Sequence, residues 1–329
     1  MSKKETPGSS IWSRRVHEPF VGAALAIALT AGFGYAAFLV AALALGIPAG
    51  AWWLATVRAH GHAQLFGWMG LYIVGVGLYF FPRLRSITLK RSDLAPAAFW
   101  LLVSGILLYS FSLPALSLAG DSNPSAALPM LLRLLVAASG LLELAALVPL
   151  TRMLVATEQA APSLVPGAPV YPVLPLIRMA VASFGLAFLA NAVFVEASAA
   201  GLITASAGAW DSLIIQLLLY GLAVPVAFVF AVRNLPLYLR LAPPPRGELR
   251  PLAAIYAAGL ALRVSPDILG TLGLNGPVAN FTGAVGVVAQ SACILWFVWR
   301  IDLLHRRPPW TVDRAPNTRP DLDYLRKPT

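Results

Sequence analysis

Eight apolar stretches divide this chain, each followed by a short polar, charged or Pro/Gly-rich break. About 20 apolar residues suffice for a helix to cross a bilayer core, and most of these stretches are longer. The pattern predicts membrane helices near 19–46, 54–81, 94–119, 126–155, 173–200, 211–239, 249–270 and 277–302. The seventh is the weakest, because Arg263, Pro266 and Asp267 interrupt it. The first run is too long for a signal-peptide core and has no convincing cleavage site, so it reads as a helix. Pro-rich stretches at 162–175 and 243–251 read as cytoplasmic connections, and the segment after Pro308 as extended or disordered. The expected organisation is a tail over 1–18, a transmembrane helical domain over 19–302 and a second tail over 303–329. The fold class is all-α, a polytopic transmembrane bundle.

Composition sharpens this picture. The chain is 58% hydrophobic and 12% charged, about half the charge fraction of a soluble domain. Cys293 is the sole cysteine, which excludes an intramolecular disulfide, a structural zinc site and an iron–sulfur cluster. The net charge of +10 does not point to nucleic acid, because the charges lie between apolar runs rather than along one face. Of the 24 Lys and Arg residues, 21 fall on one side of the eight-helix topology. The positive-inside rule makes that side, with both termini, cytoplasmic. The expected location is a bacterial inner membrane. Asp121 and Asp211 fall in opposite-side loops, and Trp52, Trp53 and Trp210 fit an aromatic belt at that surface.

Three basic residues, Arg58, Arg133 and Arg263, fall inside helices, in the half facing away from the cytoplasm. His60 and His62 lie at the same level, and Asn191, Glu196, Gln216 and Asn280 reach that half too, which predicts a polar nest there. Glu143 is expected in the inner half, as a protonated packing residue or a proton relay. Ionisable groups in hydrocarbon are costly and mark functional sites. Histidine is also a ligand for haem iron and copper, so the string Arg58-Ala-His60-Gly-His62-Ala-Gln64-Leu-Phe-Gly67-Trp68 points to a metal or haem site. His60 shares a helix face with Gln64, and Arg58 with His62. His60 and His62 are about 200° apart and cannot bind one metal from a regular helix. One of them ligating iron leaves the other for a neighbouring helix, a propionate or copper. Ala63, Gly67, Gly70 and Gly77 form a small-residue stripe that admits a flat macrocycle or another helix. His17 and His305 lie at the cytoplasmic edges.

The string His60-Gly-His62-Ala-Gln64-Leu-Phe-Gly67, with Pro82-Arg83 closing the helix, resembles two related groups. One is the NnrS family of haem- and copper-containing membrane proteins, with its early-helix His-x-His-x-x-Leu-Phe-Gly signature. The other is subunit I of haem–copper oxidases and nitric oxide reductases, in which an early-helix histidine ligates haem. Weaker echoes of the NnrS pattern are Leu189-Ala190-Asn191, Arg233-Asn234-Leu235-Pro236 and Leu262-Arg263-Val264. The chain departs from both groups. NnrS proteins have about twelve helices, and the oxidases need further histidines on later helices, which this chain lacks. An autonomous haem–copper reducing centre is therefore not expected, and whether the chain is an enzyme stays open. The resemblance implies one haem b, with copper as a further candidate, in nitric oxide or denitrification-linked respiratory metabolism. The iron ligand would be His62 in preference to His60. Arg58 and Arg263 would serve a propionate, and Gln64 and Gly67 would line the site. A homo-oligomer or a respiratory partner subunit is the protein partner implied, beside the lipid bilayer. Attachment of a c-type haem is excluded, because no Cys-x-x-Cys-His occurs.

The same residues allow two other readings. In a transporter or channel, the polar nest is a substrate site. In a non-catalytic assembly subunit, the histidines bond other helices.

Overall fold

A computed structural model describes residues 15–120, 127–164, 171–202, 207–239, 246–274 and 276–301. Most of the expected N-terminal tail, and the whole 303–329 tail with His305, lie outside these. Among the described residues there is no strand. Eight helices are long and apolar enough to cross a membrane: α1 (His17–Ala44), α2 (Ala51–Leu84), α3 (Ser92–Ala119), α4 (Ala127–Ala160), α5 (Tyr171–Ala199), α6 (Ala207–Val232), α7 (Gly247–Thr271) and α8 (Pro277–Arg300). The protein is an all-α, polytopic integral membrane protein. Each expected span is present, with its ends moved by a few residues. Large apolar side chains such as Phe33, Leu131, Val288 and Leu295 lie on the outside, as lipid-facing surfaces require.

Helix ends follow the local chemistry. Residue 46, 201 or 273 is a glycine at positive φ just past the end of α1, α5 or α7. The next residue's N–H returns to the carbonyl five residues back: Ile47 to Ala42, Leu202 to Ala197 and Leu274 to Leu269. This six-to-one bond satisfies a carbonyl that the helix end would leave open. After α2 the same bond runs from Ile87 to Pro82, with Ser86 at φ 56° in the glycine's place. Pro277 opens α8 at a position where no N–H is needed.

The seventh span is not interrupted: α7 is helical throughout. Pro266 removes the N–H that would bond Leu262, and the Ser265 hydroxyl donates to the Leu262 carbonyl instead, at 2.8 Å. Side-chain replacement of this kind is how membrane helices tolerate proline.

The chain divides into two compact units. The first holds α1 to α4 together with residues 185–218, and the second holds residues 169–184 and those from 219 onward. Inside the first, α3 packs along α4, while α2 packs on α1 and α3, around Phe20, Leu71, Ile106 and Phe188. Inside the second, α7 and α8 pair. A Cβ at Gly286 would collide with the Arg263 backbone N, and one at Gly283 would meet Pro266 Cγ at 2.6 Å. Small residues therefore set the approach of these two helices. Three helices widen locally to π-helix, at Ala28–Gly32, Ala63–Gly70 and Leu217–Ala223. Such bulges concentrate at functional sites. Two of them flank the histidine segment of the first unit.

Candidate functional site

His60 and His62 close the α-helical part of α2, immediately before its π-helical stretch. Being about 200° apart, they face different helices. Half-buried His60 brings Nδ1 to 2.9 Å from the Gly32 carbonyl of α1. A carbonyl oxygen can only accept, so His60 carries a proton on Nδ1. Gly32 ends the π-helical turn of α1 with ψ at −85°. Gln64, one turn below His60, crosses over Gly32: a Cβ there would meet Gln64 Nε2 at 2.6 Å. The Gln64 Oε1 is buried without a hydrogen-bond partner among the described residues.

His62 has a different environment. Its side chain is 4% exposed, and Nε2 lies 2.7 Å from Oε1 of Glu143, whose side chain is fully buried. Asn191 of α5 donates Nδ2–H to the other carboxyl oxygen of Glu143 at 3.0 Å. The imidazole lies between the rings of Phe66 and Tyr109, with centroids at 4.5 and 4.2 Å. Either the imidazole donates to a carboxylate or a protonated carboxyl donates to the imidazole. Both arrangements leave the second carboxyl oxygen free to accept from Asn191.

Arg58, a turn above His62, is half-buried and committed to Asp211: its Nε and Nη2 each reach Asp211 Oδ2 at 2.9 Å. The guanidinium also lies over the Phe194 ring, 5.5 Å from its centroid. Asp211, expected in a loop, sits in the first turns of α6. Gly67 is filled by packing, since a Cβ would meet Ile27 Cγ2 at 2.5 Å and Ile106 Cγ2 at 3.2 Å. Of the two occupants expected there, a macrocycle or another helix, it is helices α1 and α3 that take the space. Arg263 belongs to the second unit. There its guanidinium lies 3.4 Å from the Tyr220 ring centroid, and Nη1 donates to Gln290 Oε1 at 3.4 Å. His17 packs against Tyr79 with centroids 4.5 Å apart.

The expected polar nest needs correction in two respects. Arg133 and Asn280 have exposed side chains. Glu143 belongs to the layer of His62 and Asn191, not to a separate inner half. The cause is length: α2 and α4 each have 34 residues, about 51 Å at 1.5 Å per residue, against a core of about 30 Å. Helices this long overshoot the core, so counting from a helix end does not give depth.

A haem needs an imidazole with an available nitrogen and an open face. His60, half-buried and with its Nδ1–H held by a backbone carbonyl, the usual second partner of a metal-ligating histidine, is the better candidate, since Nε2 is the nitrogen that this bond leaves over. As packed, His62 does not fit: Nε2 is engaged by Glu143 and both ring faces are covered. Arg58 already has a carboxylate partner. No group of three or more His, Cys, Asp or Glu side chains able to hold a metal occurs among the described residues. Comparison with protein-family models, curated proteins and solved structures finds no match to this chain.

Proposed function

We propose that this integral membrane protein binds a haem b through His60 and serves nitric oxide or denitrification-linked respiratory metabolism in a bacterial inner membrane. The setting comes from the resemblance of α2 to NnrS-type and oxidase subunit I-type proteins. The observation that carries the ligand assignment is the Nδ1–H of His60 bonded to Gly32 O. That bond fixes the tautomer and ring orientation, and it raises the basicity of the nitrogen left for iron. A haem held there supplies one-electron chemistry and a gas-binding iron position. Gln64 adds a buried acceptor one turn from His60, and the π-helical turn of α1 brings the Gly32 carbonyl to it. The reading reverses the order expected from sequence, with His60 ahead of His62. The test is the haem-to-protein ratio after purification from haem-replete cells. His60→Ala should lose the Soret band, while the His62→Phe/Glu143→Leu double variant and His17→Ala should keep it. A colourless wild-type protein, or a His60→Ala variant with full haem, refutes the reading.

One observation favours a second reading, a proton-coupled transporter. An imidazole–carboxylate pair sharing a proton at 2.7 Å in a sealed membrane interior is the kind of group that carries protons in pumps and transporters. Its test is proton uptake by proteoliposomes, with Glu143→Gln abolishing it.

A further inference from the structure

We propose that one end of the second unit is a docking surface for an anionic phospholipid, whose phosphate is held by Arg178 of α5 and Arg250 of α7. The proposal does not depend on the haem reading. This is the end that the distribution of basic residues assigns to the cytoplasm, where α5 and α7 begin. The first turns of those two helices meet, and there the Arg250 guanidinium lies over the Tyr171 ring, 4.3 Å from its centroid. Arg178 follows Tyr171 by seven residues, two helical turns or about 10 Å along the same side of α5. Helical side chains lean towards the N-terminus, so the Arg178 guanidinium is carried back towards Tyr171 and Arg250. Both arginines are exposed, and neither has a carboxylate partner among the described residues. The adjoining segments 165–170 and 240–245 contain no acidic residue. Glu248, two residues from Arg250, is taken by Arg300, whose Nε and Nη2 donate to its two carboxyl oxygens at 2.7 and 3.1 Å. That pair cancels, and the charges of Arg178 and Arg250 are left over.

The surroundings select the ligand. Tyr238 and Trp299 are exposed at the same end of the unit, and interfacial aromatics of this kind mark the head-group level. Deeper along both helices the same faces turn apolar and stay exposed, with Val181 one turn after Arg178 and Ala254 one turn after Arg250. Cations at the head-group level above a strip that meets acyl chains fit a phospholipid rather than a soluble anion. Guanidinium groups match phosphate oxygens through paired N–H donors, and basic patches between helices on the cytoplasmic side bind anionic head groups. Stacking on Tyr171 holds Arg250 in place without neutralising it.

The experiment is thermal unfolding of the full chain in detergent with added dioleoylphosphatidylglycerol, dioleoylphosphatidylcholine or sodium phosphate, at equal ionic strength. A ligand that binds only the folded state raises the midpoint. Phosphatidylglycerol should raise it by several degrees, and the other two should not. The Arg178→Gln/Arg250→Gln double variant should keep the wild-type midpoint in phosphatidylcholine, because both side chains are exposed, and should lose the response to phosphatidylglycerol. Arg152→Gln removes an exposed arginine near the same end of α4, in the first unit, and should keep the response. This control separates a site from general attraction between charges. The proposal is overturned by no response to phosphatidylglycerol, by an equal response to phosphatidylcholine or sodium phosphate, by a double variant that still responds, or by an equal loss in Arg152→Gln.

Discussion

Replacing Glu143 by leucine removes the carboxyl group bonded by both His62 and Asn191. A hydrogen bond between membrane helices contributes little by itself, about 0.6 kcal/mol on average. The larger effect lies in what is left behind. Two buried polar groups lose the partner they have among the described residues, at about 1–3 kcal/mol each, which gives roughly 2–6 kcal/mol. Breaking a buried ion pair from one side costs a similar amount, about 3–5 kcal/mol. Glu143→Leu should therefore destabilise the first unit severely, and so should His62→Phe, which strands the carboxyl. The double variant should be far less damaged than the sum, because Phe fits between Phe66 and Tyr109 and no charge stays unpaired. Only Asn191 then lacks its acceptor. Glu143→Gln should be mild, since a flipped amide donates to His62 and accepts from Asn191. Equilibrium unfolding in mixed micelles over this cycle reads the coupling. Additive single and double variants, or a Glu143→Leu protein within about 0.5 kcal/mol of wild type, would refute the reasoning.

Three further outcomes are expected. Gly105→Ala should collapse the yield of monodisperse protein in size-exclusion chromatography. Its Cβ would lie 2.9 Å from the Ser139 carbonyl and 3.2 Å from the Glu143 backbone N, while Gly77→Ala, with nothing within 4 Å, should be neutral. Arg58→Gln should change the unfolding midpoint little, because that ion pair is 23% and 31% exposed and such pairs contribute about 0–1 kcal/mol. Cysteines introduced at positions 48 and 88 should be labelled by an impermeant thiol reagent from opposite sides, with 48 outside, as the distribution of basic residues requires; labelling from one side breaks the eight-span topology.

The eight spans were legible because length and apolarity alone decide them. The opposed directions of His60 and His62 were legible too, since the α-helix is regular up to residue 62. Below that point the reading degrades. Residues 63–70 are π-helical, so a 3.6-residue period carried through them assigns later side chains to the wrong face. Gly67 was read as room for a macrocycle or for another helix, and it is the second that holds, with Ile27 and Ile106 filling the space. Glu143 could be picked out as an acid in an apolar run, but its partner could not, because pairing depends on how two overlong helices are staggered. Nothing in the sequence marks the Gly32 carbonyl as an acceptor, because a π-turn in an apolar run has no composition of its own. The continuity of α7 was hidden for a local reason: the effect of Pro266 is offset by Ser265, a residue that reads as neutral.

The His62–Glu143 contact also bears on how the protein is made. Helices leave the ribosome in order, so α2 enters the membrane before α4, and α5 follows both. Glu143 must therefore partition into lipid before Asn191 of α5 is present and before α4 has packed against α2. An acidic residue at mid-helix opposes insertion by about 2.5–3.5 kcal/mol, while each leucine favours it by about 0.3–0.6 kcal/mol. The eleven leucines of α4 together favour insertion by about 3–7 kcal/mol, enough to carry Glu143 into the membrane before it pairs. The seal around Glu143 then closes in two events, the first when α4 meets α2 and the second when α5 delivers Asn191. A chain stalled between them would hold an unfinished acidic site in the bilayer, which makes that intermediate a natural target for membrane quality control.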